Sequence, residues 1–474
     1  MNLQWNTRKV AERPEPDFPP IWLFVVFFFA VQGVGILIAI AQWPDGKAIS
    51  WSPFLFQATF LPFLFFVAVC GAVVYAGYEM PWKGAVLWNL MCQWRNYHWL
   101  CWTRDHVVLV DSVVMTPEDE IAERMLGLEG RPPDNVGKAV TFDFDLAPGE
   151  ARIEHLLRNL LASLLPALQR MGRTESIQIV LQSEDQDDLT VLRRVLAAWN
   201  LPGHPTLVWQ SPGQPDPMDS LWVEHKPMSG VRLFIACQLG RAGAEPPYSE
   251  MAVAMLFADA SALARNRHGL RPQACLYRPV VAESDEVDRG IAMLLGSEPV
   301  AAGRIRQFWL TGLNKPLRHA VTVAVKDAAL RADTQDIDQA LGKPGHANGW
   351  VAQSLAAKMV RHGQGAQLVA IPCKSGVAVN IVANRPESPD RPGEDRVVPF
   401  SLMWATAMIA MAVFVGNPGV ADGDADRTAL LPWWAAALFA FAGMALQVAS
   451  ELLYYRLLSR EFDEACYPAN GLRG

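Results

Sequence analysis

LGKPGHANGWVAQSLAAKMVRHGQGAQLVAI (residues 341–371) reads as one unit: a glycine-rich turn, a helix, a second glycine turn and a strand. Glycine at positions 342, 345 and 349 lets the backbone approach other groups closely, and a helix that opens on such a turn can receive an anion at its N-terminus. Asn348 to His362 carries apolar residues at helical spacing; Gly363-Gln364-Gly365 ends it, and Gln367 to Ile371 follows as a strand. His346 is a candidate base in this turn, provided that a nucleophile and a second polar partner converge on it.

The same alternation extends in both directions. Val107–Val110, Ile177–Leu181, Val231–Ile235 and Gln307–Leu310 are further short β-branched or aromatic runs. Residues 151–171, Asp188 to Trp199 and Ser249 to Ala264 carry helical apolar spacing; in the first, Ile153, Leu156, Leu157, Leu160, Leu161, Leu164 and Leu168 make one stripe. Strands alternating with such helices predict an α/β domain with a mixed sheet over 105–383, followed by a Pro- and Arg-rich linker at 384–397. No repeat at the 20–50-residue periods of solenoids interrupts the pattern.

Beyond this domain the chain turns hydrophobic. Ile21 to Trp43 and Pro53 to Gly77 are long enough to cross a ~30 Å hydrocarbon core, as one hairpin over 21–77. Val398 to Gly416 and Leu431 to Tyr454 form a second over 398–455, which gives four expected spans. Tails at 1–20 and 456–474 flank them. Arg8, Lys9, Arg13, Lys83, Arg95, Arg104, Arg391, Arg396, Arg456, Arg460 and Arg473 lie on the domain side of the spans, whereas the hairpin loops hold only Lys47 and Arg427. The positive-inside rule then places both termini and the central domain in the cytoplasm of a bacterial inner membrane. Residues 78–104, rich in Trp with Arg95 and His98, fit two readings: an interfacial helix at the headgroups, or a helical neck packed on the domain.

Composition narrows the function classes. A net charge of −7 and the lack of any basic run speak against nucleic-acid binding. The seven cysteines (70, 92, 101, 237, 275, 373 and 466) are odd in number, scattered and never C-x-x-C, the pattern of free thiols in a reducing compartment. There is no P-loop, no G-x-S-x-G elbow, no H-E-x-x-H and no zinc spacing, and nothing implies a cofactor or a metal. Asp143 and Asp145 alternate around Phe144, which puts both carboxylates on one face of an expected strand, to hold a cation or simply to face water.

Gly345-His346, its apolar helix, Gly363-Gln364-Gly365 and the strand after them resemble the second half of the thiolase-fold condensing enzymes, the β-ketoacyl synthases. There a Lys-x-x-x-Gly-His turn precedes the helix, and its histidine helps to activate the donor thioester. Ser249 to Phe257 with Asp259 and Arg265 to Leu270 resembles the family's Gly-Glu-Gly-Ala strand and the segment after it, and Trp309 to Asn314 falls where the family carries His-Gly-Thr-Gly-Thr. The resemblance spans roughly 140–383. It implies a thiolase-like domain, with a homodimer as one assembly, and it makes His346, Asn314 and Lys343 the candidates for handling an acyl thioester. Lys343 is offset from the family spacing by about two residues, and Leu310-Thr311-Gly312 replaces the family's other histidine. The nucleophilic cysteine should precede Ser249, yet residues 205–230 have none. Cys237 lies in an apolar run, where burial raises a thiol's pKa, the wrong direction for a nucleophile. The resemblance thus points to a pseudo-enzyme. Separately, Met115-Thr116-Pro117-Glu118, Leu126 to Gly130, Pro132 to Asn135, Ala236 to Leu239 and Gly363 to Leu368 resemble membrane proteins encoded in proteobacterial type VI secretion clusters. That resemblance implies a scaffold or adaptor for secretion components or effectors. A membrane-bound acyltransferase using His346, and an immunity protein against a membrane-active toxin, are the alternatives.

Overall fold

The computed structural model describes residues 4–7, 9–43, 51–212, 221–223, 226–240, 245–266, 271–384, 388–393, 400–416 and 432–466. They fall into two compact units: residues 7–98 with 390–474, and residues 1–6 with 99–389.

The first unit is helical. Among the described residues three helices are long and apolar enough to cross a membrane: Ile21–Ala41, the 48-residue run Phe56–Thr103, and Trp433–Cys466. The expected third span differs, because its described helix, Leu402–Gly416, has 15 residues and reaches only about 22 Å. The second helix does not stop at Gly77; it passes through a π-helical turn at Tyr75–Glu79 and continues as Met80–Thr103. The last helix likewise runs beyond Tyr454 to Cys466. Both hairpin loops, with Lys47 and Arg427, lie outside the described residues, as do Arg8, Arg396 and Arg473. Small residues bring the helices together: a Cβ on Gly71 would meet the Met403 carbonyl oxygen at 2.8 Å, and Ala405, Ala407, Ala436 and Ala440 are buried. Lys83 Nζ is buried between Glu79 Oε1 at 2.9 Å and Glu451 Oε1 at 3.1 Å, with Gln447 Nε2 donating to Glu451 at 2.7 Å. That pairing satisfies charges that an apolar bundle could not otherwise hold.

The second unit is built on one mixed 11-stranded sheet. In chain order the strands are β1 (His106–Met115), β2 (Ile177–Gln182), β3 (Thr206–Gln210), β4 (Trp222–Val223), β5 (Lys226–Pro227), β6 (Val231–Gln238), β7 (Met251–Ala258), β8 (Ala274–Tyr277), β9 (Val280–Ala282), β10 (Ile305–Leu310), β11 (Asp333–Asp336), β12 (Ala366–Cys373) and β13 (Gly376–Ala383). Across the sheet they run β11-β10-β12-β13-β8-β1-β7-β6-β2-β3, with β9 on β13 and with β4 and β5 as a separate hairpin. The order is a duplication. In one half β3, β2 and β6 are parallel and β7 and β1 follow antiparallel; in the other β11, β10 and β12 are parallel and β13 and β8 follow antiparallel. β1 and β8 join the halves, His106 opposite Tyr277.

Helices cover the outer faces. Arg152–Ala162, Leu165–Met171 and Asp188–Ala198 bury Leu156, Leu160, Leu168 and Leu192 against Ile179, Leu181, Leu233 and Ile235. Val287–Gly296 and Lys315–Asp327 do the same on the second half with Ile291, Leu294 and Val321 against Phe308, Leu368 and Ile381. The inner faces of both halves meet on the helix Asn348–Arg361: Phe234, Val253 and Phe257 from one and Trp309, Val369, Ile371 and Val382 from the other share its cluster. Alternation along β6 does this directly, sending Leu233, Ile235 and Cys237 outward and Phe234 and Ala236 inward.

Two local expectations change. Ser249 to Ala264 is not one helix: Met251–Ala258 is strand β7, buried throughout, and only Ala260–Arg265 is helical, capped by Asp259 Oδ1 accepting from the Ala262 amide at 2.7 Å. Apolar spacing in a strand buried on both faces mimics a helix stripe. Thr141 to Asp145 is not part of any strand ladder. Phe142 and Phe144 stack at 4.8 Å and pack inward, leaving Asp143 and Asp145 exposed.

A candidate site around His346

The turn that carries His346 lies against the end of β6. His346 Nε2 is 3.1 Å from the Cys237 carbonyl oxygen, and the ring meets the Tyr248 ring edge-on at 5.8 Å. Tyr248 in turn donates its hydroxyl to Glu184. Burial holds the imidazole pKa below its ordinary value, against smaller raising contributions from the Cys237 carbonyl and Glu184. The folded state thus keeps His346 neutral, whereas the unfolded chain protonates it first as pH falls. Its contribution to stability is present above the ordinary histidine range and is lost on acidification through that range. His346→Asn should flatten the decline in melting temperature between pH 7.5 and 5.5; an unchanged slope would show that this ring does not set it.

Neighbouring polar groups of the turn have structural partners. Gln238 accepts from the Ala347 amide at 2.9 Å and donates to the Ser249 carbonyl at 2.6 Å. Asn348 accepts from the Gly345 amide at 2.8 Å and donates to Thr311 Oγ1 at 3.2 Å. Thr311 donates to Asp338 at 2.6 Å, and Arg318 Nη2 binds the same carboxylate at 2.9 Å. Burial pushes the Asp338 carboxyl up, opposed by the Thr311 and Gly312 donors. A Cβ on Gly345 would sit 2.5 Å from the Gln238 side chain, which could move aside only by disturbing its hydrogen bonds to Ala347 and Ser249.

A strap formed by residues 135–142 lies over this network. The Asn135 amide donates to the Gln339 carbonyl, the Lys343 amide to the Lys138 carbonyl at 2.8 Å, and the Val140 amide to Ser249 Oγ at 3.1 Å. Beneath it Glu250 is fully buried. Its carboxylate accepts from the Gly240 and Phe142 amides, both at 2.7 Å, and from Arg152 Nη2 at 2.7 Å and Nη1 at 3.0 Å.

The sequence candidates therefore occupy distinct places. His346 faces the end of β6. Lys343 joins the strap through its main chain, its carbonyl accepting from the Ser249 amide at 2.9 Å. Asn314 is exposed and caps the helix Lys315–Asp327, accepting from the Leu317 amide at 2.9 Å. Cys237 points its side chain into the outer core, where burial pushes the thiol pKa far up. The Arg152–Glu250 pair escaped the sequence reading, although a carboxylate heading the run MAVAMLFA (residues 251–258) was the available signal.

The duplication also locates the connection expected to hold a nucleophile. Between β11 and β12 runs the central helix Asn348–Arg361; the matching connection, between β3 and β6, carries the β4–β5 hairpin among its described residues and no cysteine.

No family model matches the chain, and no curated protein does either. Solved structures do. An oxazolomycin ketosynthase domain from Streptomyces albus is 12% identical, with a TM-score of 0.42, over 62% of this chain and 100% of that one. A ketosynthase of the bacillaene polyketide synthase from Bacillus amyloliquefaciens is 12% identical, with a TM-score of 0.39, over 69% and 82%. Human mitochondrial 3-ketoacyl-CoA thiolase in complex with CoA is 10% identical, with a TM-score of 0.37, over 59% and 98%.

Proposed function

We propose that this chain is a non-catalytic inner-membrane scaffold or adaptor whose thiolase-like pseudo-enzyme domain docks components or effectors of a type VI secretion apparatus. The observation that carries the non-catalytic part is the pairing of the His346 turn: its side chain faces the Cys237 main-chain carbonyl, and the Cys237 thiol is turned into the core. A condensing reaction needs a thiolate to form the acyl-enzyme. Membrane attachment is supported by three long apolar helices, and a cytoplasmic domain by the Lys/Arg distribution. The secretion link is supported by the five sequence blocks that resemble proteins of such clusters.

Affinity purification of the tagged full-length protein from its native membranes, after mild crosslinking, tests the reading. Enrichment of secretion baseplate, spike or effector proteins is the expected result. Secretion should persist within about twofold in His346→Ala and disappear on removal of residues 105–395. Recovery of acyl carrier protein, together with acyl-CoA turnover that is lost in His346→Ala, would overturn the proposal in favour of catalysis.

A further inference from the structure

A second site lies at the opposite ends of the strands. β10, β11 and β12 run parallel, and around their first residues opens a cleft of about 830 Å³, within the size range of small-molecule sites. Its walls are Arg304 and Arg306 at the head of β10, Arg331 and Asp333 before and at the head of β11, and the Gly363-Gln364-Gly365 turn that ends the central helix. Three arginines and one carboxylate thus line the cleft, in a chain whose net charge is −7. Arg306 and Arg331 are exposed, and their side chains make no hydrogen bond or ion pair among the described residues.

The turn fixes the arrangement. Gly365 has φ +75°, and a Cβ on it would lie 2.6 Å from Arg306 Cγ and 2.8 Å from the Arg304 carbonyl oxygen, so glycine is what lets the turn close on β10. Gln367 anchors it from below, donating to the Gln364 and Gly365 carbonyls at 2.9 and 3.1 Å while accepting from Trp309 Nε1 at 2.8 Å. The duplication supplies a comparison. At the matching ends of β2 and β3 the cleft is smaller, about 310 Å³, and is lined by Arg173, Glu175 and His204, with Glu175 paired to Arg265 at 2.6 Å. Among the described residues that line this smaller cleft, Arg173 is the single arginine.

We propose that the cleft under Gly363-Gln364-Gly365 binds a ligand bearing two or more phosphate groups, clasped by Arg304, Arg306 and Arg331. Guanidinium forks match phosphate oxygens two at a time, and several of them around one cleft favour a polyphosphate over a single carboxylate. The C-terminal end of the central helix opposes an anion by only about half a charge, less than the three cations supply. The proposal is independent of the docking function.

The test uses the full-length protein in neutral-lipid nanodiscs, titrated with pyrophosphate and with ADP by calorimetry at low and moderate salt. Saturable binding is expected, weakened at least tenfold in Arg306→Gln/Arg331→Gln, lowered by salt, and unchanged in Arg193→Gln, which lies on the helix Asp188–Ala198 of the first half. An unchanged melting temperature in the double variant separates lost binding from lost folding; if that variant melts early, the single Arg331→Gln is read instead. If neither soluble probe binds but the protein binds vesicles containing phosphatidylinositol bisphosphate, in a way abolished by the double variant, the phosphates come from a lipid headgroup and the proposal stands. Absence of binding to all three probes, or binding indifferent to Arg306 and Arg331, overturns it.

Discussion

Arg152→Met should lower the melting temperature of the domain by roughly 10 °C, corresponding to about 3–5 kcal/mol. The reason lies with the partner that stays behind. The Glu250 side chain is 1% exposed, whereas that of Arg152 is 29% exposed, so the variant surrenders little burial of its own and strands a carboxylate in the interior. Two main-chain amides still reach Glu250, from Gly240 and Phe142, but neutral donors do not cancel a buried charge. Arg152 also sits 5.6 Å from the ring of Phe144, which stacks on the strap's Phe142 and rests on His155 of the same helix. Combining the change with Glu250→Gln should recover part of the loss, because the charge leaves with its counter-ion; the double-variant cycle then reports a coupling of at least about 1 kcal/mol. Thermal unfolding of the intact protein in detergent, followed by near-ultraviolet circular dichroism, measures it. A shift below about 2 °C in Arg152→Met would mean that the strap is not held through this pair.

The alternation of apolar runs carried the α/β class, and the starts of β2, β6 and β12 lie within a residue or so of their expected positions, since Ile177, Val231 and Gln367 begin strongly apolar segments. β7 was not legible as a strand. Eight buried residues in succession, mixing Met, Ala, Val, Leu and Phe, carry no period of two because both faces of a central strand are covered. β11 was invisible for the opposite reason: Asp333-Thr334-Gln335-Asp336 is polar, and the parallel register to β10 alone makes it a strand. Nor could local pattern show the duplication, which resides in strand order and not in residue identity. At the site, the glycines around His346 signalled a close approach, but what they approach, Gln238 and the strap, is more than a hundred residues distant in sequence.

That duplication explains why one helix matters to both halves. The central connection of the second half fills the space between the two inner faces, and 12 of the 14 residues of Asn348–Arg361 are buried. Such a helix has no solvent side to tolerate substitution. Gln353 and Asn380 meet this constraint by pairing their amides at 2.6 and 3.1 Å, and Ser354 by bonding Ser112 at 2.7 Å. In the first half the described part of the corresponding connection adds Leu221, Trp222 and Met228 to the same cluster.

Trp350→Ala should be as costly as the loss of Arg152, about 3–5 kcal/mol, and should act on both halves together. Trp350 has no exposed surface; its ring centroid lies 3.9 Å from that of Phe234 and 6.4 Å from that of Phe257, and it shares a cluster with Val369 and Val382 of the other half. Removing the indole leaves a cavity bordered by strands β6, β7, β12 and β13, which cannot collapse without moving one half against the helix. Trp350→Phe should cost less than about 1.5 kcal/mol. It keeps an aromatic ring against Phe234 and removes an indole N–H that makes no hydrogen bond among the described residues, so part of the lost packing is offset by a donor that no longer needs to be buried. Hydrogen exchange distinguishes this account from a local one: in Trp350→Ala, protection should fall in β6 and in β12 by similar factors. A fall confined to β12, on the helix's own side of the duplication, would show that the two halves are stable independently and that the central helix does not couple them.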